Sequence, residues 1–429
     1  MGILTTLRNA WKIQDLRRKI LYTLFIIVIF RIGANIPVPF IDSSVLASVF
    51  ASGDNLFSYL NMLSGSALSA GTVFALTIQP YINASIIMQL LTIAIPYFER
   101  LQKDGGEEGK KKMTTITRCL TVVIGILQAY GYYVTLSNSS ALTTYASKGE
   151  NFLVGVTIIA ILVAGSCLVM WLGESINEKG IGNGISIVLF ASIVSRGQSL
   201  VMSFVDQINH GRWWMVPLIL VLGIALITVI VFMDNAERRV PIQYAKKQIG
   251  RKTYGGQNTH LPIKVIMAGV MPIIFAFAIV SLPATIAAFV PNSGFATFIE
   301  NHFSSKNAIY MIITFILIIA FNYFYLAIQY NTVEIANNIK NNGGTIPGIR
   351  PGKPTSDFLK KTVNRVTIAG AVFLGFIAVL PYVLGAVIPA ASNFGLGGTS
   401  ILIVVSVALE TVKQLESQML MRHYKGFLE

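Results

Sequence analysis

The stretch ALTIQPYINASIIMQLL, Ala75–Leu91, decides the fold class. It sits inside a long apolar run yet carries Gln79, Pro80, Asn83, Ser85 and Gln89. A helix that only had to sit in lipid would gain nothing from those polar groups, so one face must meet protein or a protein-lined path. Ile78, Ile82 and Ile86 recur every four residues and share a helical face. Gln89 continues that face at its inner end, and Gln79 and Asn83 form a neighbouring stripe. Pro80, one turn into the apolar part, predicts a kink or a freed carbonyl. Two readings stand: packing between helices with a few hydrogen bonds, or a helix lining a gated path whose apolar ring excludes water.

The rest of the chain reads the same way. Of 429 residues, 54% are hydrophobic and only 12% charged, about half the charge of an ordinary soluble protein. Apolar runs of about 20 residues recur along it, the signature of a polytopic α-helical membrane protein and not of a β-barrel. Ten spans are predicted: 20–37, 73–96, 116–136, 152–172, 181–201, 213–233, 264–289, 308–330, 366–388 and 400–412. An even count puts both termini on one side. Roughly 28 of the 33 Lys and Arg residues then face that side, which marks it as cytoplasmic. The net charge of +14 is thereby assigned to membrane orientation before any nucleic-acid partner is considered. Residues 1–19 precede the first span without a cleavage site. Ile3, Leu4, Leu7 and Trp11 share a face there, predicting a helix on the membrane surface.

Two cytoplasmic loops, 234–264 and 331–365, are far longer than the usual 4–6 residues, and each holds six or seven basic residues. Ordinary positive-inside bias accounts for part of that charge. The Pro-bounded turns of TIPGIRPGKP suggest ordered loops that dock an acidic or phosphate-bearing partner. On the outer side, Asn55–Leu68 is too short to span and too apolar for a simple loop. It predicts a re-entrant half-helix, which only a protein-lined cavity tolerates.

Signals for chemistry are poor. Four histidines, His210, His260, His302 and His423, lack metal-ligand spacing. GGEEGKKK has the wrong glycine spacing for a phosphate loop, and GIGNG lacks a βαβ context. Cys119 and Cys167 predict small buried apolar residues, not a disulfide framework. No cofactor is expected. Coupling ions usually need Asp, Glu, Lys or Arg within spans. Here the confident span interiors hold almost none, with Arg31 toward the outer end of the first span and Glu410 in the last near the inside, so passive conduction fits better than pumping. A secondary transporter of a small solute is the alternative.

Six segments then appear in a fixed order: FRIGANIPVP, SGSALSAGTVFALTIQPYINASIIMQLL, MWLGESINEKGIGNGISI, THLPIKVIMAGVMP, GTIPGIRPGKPT and GGTSILIVV. Together they closely resemble the SecY family of bacterial protein-conducting channels, over almost the whole chain. The resemblance implies an all-α membrane protein with ten transmembrane helices. Two inverted-repeat halves, 20–201 and 202–429, would surround an hourglass pore in the bacterial plasma membrane. It also implies a polypeptide with a signal sequence as cargo, and no enzymatic step. SecE-like and SecG-like small subunits, the SecA ATPase, the ribosome and membrane lipids are the implied partners.

Carried over by motif, the pore ring is Ile78, Ile82, Ile185, Leu189, Ile274 and Ile403. The lateral gate includes Ile86, Gln89, Thr117, Met271, Ala278 and Leu282. The plug, within 55–68, includes Leu56, Phe57, Leu60, Met62 and Leu63. Arg238, Arg239, Lys246, Lys247, Arg251 and Arg350 resemble the surface that docks SecA or the ribosome. Two positions depart from the family pattern. Leu189 stands for a usual Ile, a conservative change. Ile266 stands where many relatives carry an Asn that joins the counterparts of Gln89 and Thr117, leaving either a two-membered cluster or another partner for Gln89.

Overall fold

A computed structural model of the chain describes residues 3–46, 61, 64–139, 141–142, 148–244, 247–249, 252–254, 258–289, 293–302, 307–387 and 398–425. It is mostly helical. The helices are α1 (Ile3–Lys12), α2 (Gln14–Gly33), α3 (Gln79–Ala94), α4 (Pro96–Lys103), α5 (Gly106–Asn138), α6 (Lys148–Lys179), α7 (Gly184–Ser195) and α8 (Gly197–Asn209). They continue with α9 (Met215–Asn235), α10 (Met271–Phe289), α11 (Gly294–His302), α12 (Ala308–Gln329), α13 (Thr332–Asn341), α14 (Lys353–Val387) and α15 (Gly398–Lys425). Among the described residues, six helices are long and apolar enough to cross a membrane, or seven if the bent pair α3–α4 counts as one. The chain is therefore a multi-pass membrane protein. Val221, Ile224 and Phe232 of α9 stay exposed, as lipid-facing side chains must.

The opening stretch folds differently from expectation. Ser64–Ile78 is a series of turns, and the helix begins only at Gln79. Pro80 therefore lies in the first turn of α3 and not inside a continuous helix. A first-turn position needs no N–H donor, and the ring's fixed φ favours initiation, so Pro80 starts the helix instead of kinking it. The bend of 105° falls instead between α3 and α4, at Ile95 just before Pro96. Thr77 takes φ +48° at the start of α3. Gln79 and Asn83 are buried, which favours the packing reading for that stripe.

Two expected loops form one mixed unit. β1 (Glu237–Tyr244) pairs antiparallel with β4 (Asn258–Lys264), with Val240 opposite Leu261 and Ile242 opposite Thr259. β5 (Gly344–Thr345), from the other loop, adds to the far edge of β1. β2 (Lys247–Ile249) and β3 (Lys252–Tyr254) form a small hairpin between β1 and β4. The protein is thus not purely α-helical. Val240, Ile242, Ile263, Ile339, Ile346 and Leu359 bury one shared face. That core fixes the two basic loops against each other and against α13 and α14.

The amino-terminal helix also departs from a simple membrane-surface role. Thr6 and Ala10 are fully buried where α1 packs on α15, and Thr6 Oγ1 donates to Glu416 Oε1 at 2.8 Å. Trp11 remains exposed. Cys119 is exposed rather than buried, because its side of α5 faces outward, and Cys167 is half-buried.

Candidate channel waist and gate

GIGNG serves as a cap. Gly182, at φ +83°, turns the chain. The Asn183 side chain then accepts from Ile185 N and Ser186 N, a side-chain N-cap of the kind worth about 1 kcal/mol. Asn177 Oδ1 takes the Gly184 N–H at 2.7 Å, and Thr23 Oγ1 accepts from Ile181 N at 3.1 Å. A Cβ on Gly184 would overlap the Gly173 carbonyl of α6, so glycine alone lets α7 approach this closely. Gly184→Ala is expected to cost roughly 1–3 kcal/mol through overpacking. The check is a lowered thermal midpoint in detergent against wild type.

This turn aims α7 so that Ile185 and Leu189 share a face. Three other helices contribute to the same apolar cluster, which contains Ile78, Ile82, Leu189, Ile274 and Ile403, with Ile185 packed against it. Ile78, Leu189 and Ile403 are fully buried, and Ile82 and Ile274 nearly so. Ile78 is the N-cap of α3, and Ile185, Ile274 and Ile403 lie within the first two turns of α7, α10 and α15. All six residues expected in the ring thus belong to or pack against one large apolar cluster, drawn from helices of both halves of the chain, and Ile82, Ile185 and Ile274 line one cavity together.

Beside the cluster is a small cavity of about 40 Å³, lined by Ile82, Ser85, Gln89, Ile185, Met271, Ile274 and Phe275. That is room for a very few waters. Among the described residues, no charged side chain lines it. The cavity lies between α3, α7 and α10, and α10 also packs on α3 and α5. Ile86 and Ala278 are buried in the same cluster and Met271 packs against it. Leu282 does not join them; it is 42% exposed. Gln89 bonds Ser85 and Tyr325 rather than Thr117, whose hydroxyl donates to Met113 O on its own helix at 2.9 Å.

Of the expected docking residues, Arg238 and Arg239 lie exposed on β1, and Arg239 Nε pairs with Glu237 Oε1 at 2.7 Å. Arg350 is exposed in the turn after β5. Lys247 lies in β2, while Lys246 and Arg251 fall outside the described residues. The residues expected to form the plug, Leu56, Phe57, Leu60, Met62 and Leu63, also fall outside them. Hydrogen bonds tie down the chain just beyond these positions. Ser69 N donates to Asn61 Oδ1 at 2.9 Å, and Tyr132 Oη donates to Leu68 O at 2.6 Å, which fastens this stretch to α5.

The sequence model of SecY matches residues 72–412. The chain belongs to the SecY family. It is 44% identical over 438 residues to the protein translocase subunit SecY of Streptomyces galbus, covering 99% of this chain and 100% of that one. Its fold is similar to a solved structure of a protein conducting channel, with TM-score 0.66 at 20% identity over 94% of this chain and 92% of that one. It is also similar to Sec61 in the canine ribosome–channel complex from the endoplasmic reticulum, with TM-score 0.61 at 17% identity and the same coverage.

Within this SecY-family chain, sequence reading missed the partner of Gln89. Tyr325 of α12 donates from Oη to Gln89 Oε1 at 2.8 Å. Ile266, at the departing position, is buried in the apolar cluster. Gln89 thus has another partner. Nothing in the run FNYFYLAIQY marks which of its aromatic residues would face a glutamine 236 positions earlier.

Proposed function

We propose that the protein is the channel subunit of a bacterial protein translocase. It passes unfolded secretory polypeptides across the plasma membrane and releases apolar segments sideways into lipid. The observation that carries this reading is that five buried aliphatic residues, with Ile185 packed against them, belong to one apolar cluster, and that Ile82, Ile185 and Ile274 of this set line a cavity between helices. A constriction of this kind offers water and ions few favourable interactions, so it seals by dewetting and yields around a passing chain. The seam between those helices then lets each passing segment sample lipid. Leu, Ile, Phe or Val contributes about −0.3 to −0.6 kcal/mol at a helix centre, and Asp, Lys or Arg costs about 2.5 to 3.5. One central charge therefore offsets roughly five to ten apolar residues, enough to separate secreted from inserted segments without a chemical step.

The finer architecture belongs to the same proposal: ten spans in two inverted halves, 20–201 and 202–429, around an hourglass pore, with both termini cytoplasmic. The plug within 55–68 blocks the outer funnel at rest. Ile78, Ile82, Ile185, Leu189, Ile274 and Ile403 form the ring. The seam lined by Ile86, Gln89, Met271 and Ala278 is the lateral gate. The basic unit built from β1, β4 and β5 docks SecA or the ribosome, and SecE-like and SecG-like subunits complete the assembly. The similarity to a channel solved with a ribosome supports the docking assignment.

A secretory chain stalled in transit, with photo-crosslinkers at Ile78, Ile274 and Ile403, tests the reading. Crosslinks to the stalled chain are expected at all three positions. Their absence in a chain that is demonstrably stalled overturns the pore assignment.

A further inference from the structure

Gln89 is a half-buried amide on a helix whose neighbouring inward residues, Ile82 and Ile86, are apolar. Its Nε2 donates to Ser85 Oγ at a long 3.4 Å within α3. Its Oε1 reaches out of that helix and accepts from Tyr325 Oη at 2.8 Å on α12. Tyr325 is 5% exposed. Its ring lies 5.2 Å from that of Phe275 and 5.9 Å from that of Phe324, and Phe275 meets Phe321 edge-on at 6.0 Å. An aromatic wedge therefore holds the phenol in place from behind, and Phe275 is both part of that wedge and a wall of the cavity.

The position of this bond gives it a consequence. α3 comes from the first half of the chain and α12 from the second. α3 packs on α5, and α12 packs on α10 and α14, so each partner is anchored in its own group of helices. The two groups meet along the seam that Gln89 lines. Widening the seam separates Gln89 from Tyr325 before it disturbs either group internally. In apolar surroundings both freed groups would then lack partners. The two other groups that could have held Gln89 do not: the Thr117 hydroxyl is engaged on Met113 O, and residue 266 is an isoleucine.

We propose that Tyr325 is the latch of the lateral gate, holding the closed seam through its hydrogen bond to Gln89. This inference rests on the channel reading. Interhelical hydrogen bonds in membranes are weak, shifting an equilibrium by roughly threefold on average and somewhat more than tenfold at most. A bond of that size keeps an idle seam shut yet lets an entering signal segment displace it. The latch thereby raises the apolar threshold that a segment must meet.

The test uses the full-length channel with its small partner subunits in proteoliposomes, driven by SecA. Tyr325→Phe keeps the aromatic wedge and removes only the hydroxyl. It is expected to raise transport of a precursor with a defective signal sequence by roughly three- to tenfold, with the intact precursor unaffected. Gln89→Leu should act in the same direction, and the double variant should gain no more than the larger single effect. No gain in Tyr325→Phe, or gains that multiply in the double variant, overturns the latch. Crosslinks from a stalled chain to Ile78, Ile274 and Ile403, read in the same membranes, separate the two claims. If they persist while the gain is missing, only the latch fails; if they are missing in the wild type, the channel reading fails with it.

Discussion

Ile274→Asn is expected to raise resting ion conductance at least tenfold and to let precursors with defective signal sequences cross. Ile274 is 3% exposed and lines the cavity with Ile82 and Ile185. The seal proposed there depends on offering water nothing to bond. Asparagine adds two donors and an acceptor at similar length, so a water file gains partners where it had none, and dewetting fails. The same substitution carries a folding cost, about 1–3 kcal/mol for a buried amide without full compensation. Assembly with the small subunits must therefore be measured beside conductance. Ile274→Leu keeps the surface apolar and the volume nearly constant, and should leave the seal intact. Ile78→Asn and Ile403→Asn, at fully buried positions of the same cluster, should resemble Ile274→Asn. Variants that assemble normally, conduct no more ions and remain fully signal-dependent would remove these residues from the pore ring.

The residues in that experiment come from the motif resemblance; what composition alone makes legible is the membrane class, and the reason is physical. The apolar runs and the Lys and Arg bias are signals averaged over about 20 residues, so single exceptions do not hide them. The opening stretch shows where such averaging ends. A kink at Pro80 was a reasonable expectation if the helix ran through it. Whether proline kinks or initiates depends on where the helix begins, and Ser64–Ile78 is as apolar as a helix while forming turns. The sheet was hidden for a related reason. Val240 and Ile242 alternate correctly for a strand, but Pro241 and Pro262 demote both segments, and the partner of β1 lies about 20 residues away with another from a different loop. Tyr325 was invisible because its role depends on a distance between helices. Local pattern carries no such distance, whereas the cap at Asn183 is a local device, and its turn residues were conspicuous even though their purpose was not.

The basic loops support the second large effect. Arg350→Glu is expected to lower SecA-driven export more than tenfold while leaving membrane insertion and assembly unchanged. The mount of this residue is rigid. Gly348 at φ +79° and Gly352 at φ +100° set the turns on either side, and the Arg350 carbonyl accepts from Thr355 Oγ1 at 2.9 Å. β5 ties the start of the turn to Gln243 and Tyr244 of β1, and Ile346 is buried in the core beneath, with Ile349 packed against it. The side chain itself is exposed, so reversing its charge should change folding stability by no more than about 0.5 kcal/mol. At a docking surface the same reversal sets like charge against an acidic partner, a penalty that reaches several kcal/mol, and each 1.4 kcal/mol is tenfold in affinity. Folding and docking are thus separated by the magnitude of what each loses. Arg350→Ala, which removes the attraction without adding repulsion, should fall between wild type and the reversal. Raised salt should narrow the gap between them, because it screens exposed charges. Export at the wild-type rate in a normally assembled Arg350→Glu channel would remove this residue from the docking surface and leave the turn as a purely structural brace between the two loops.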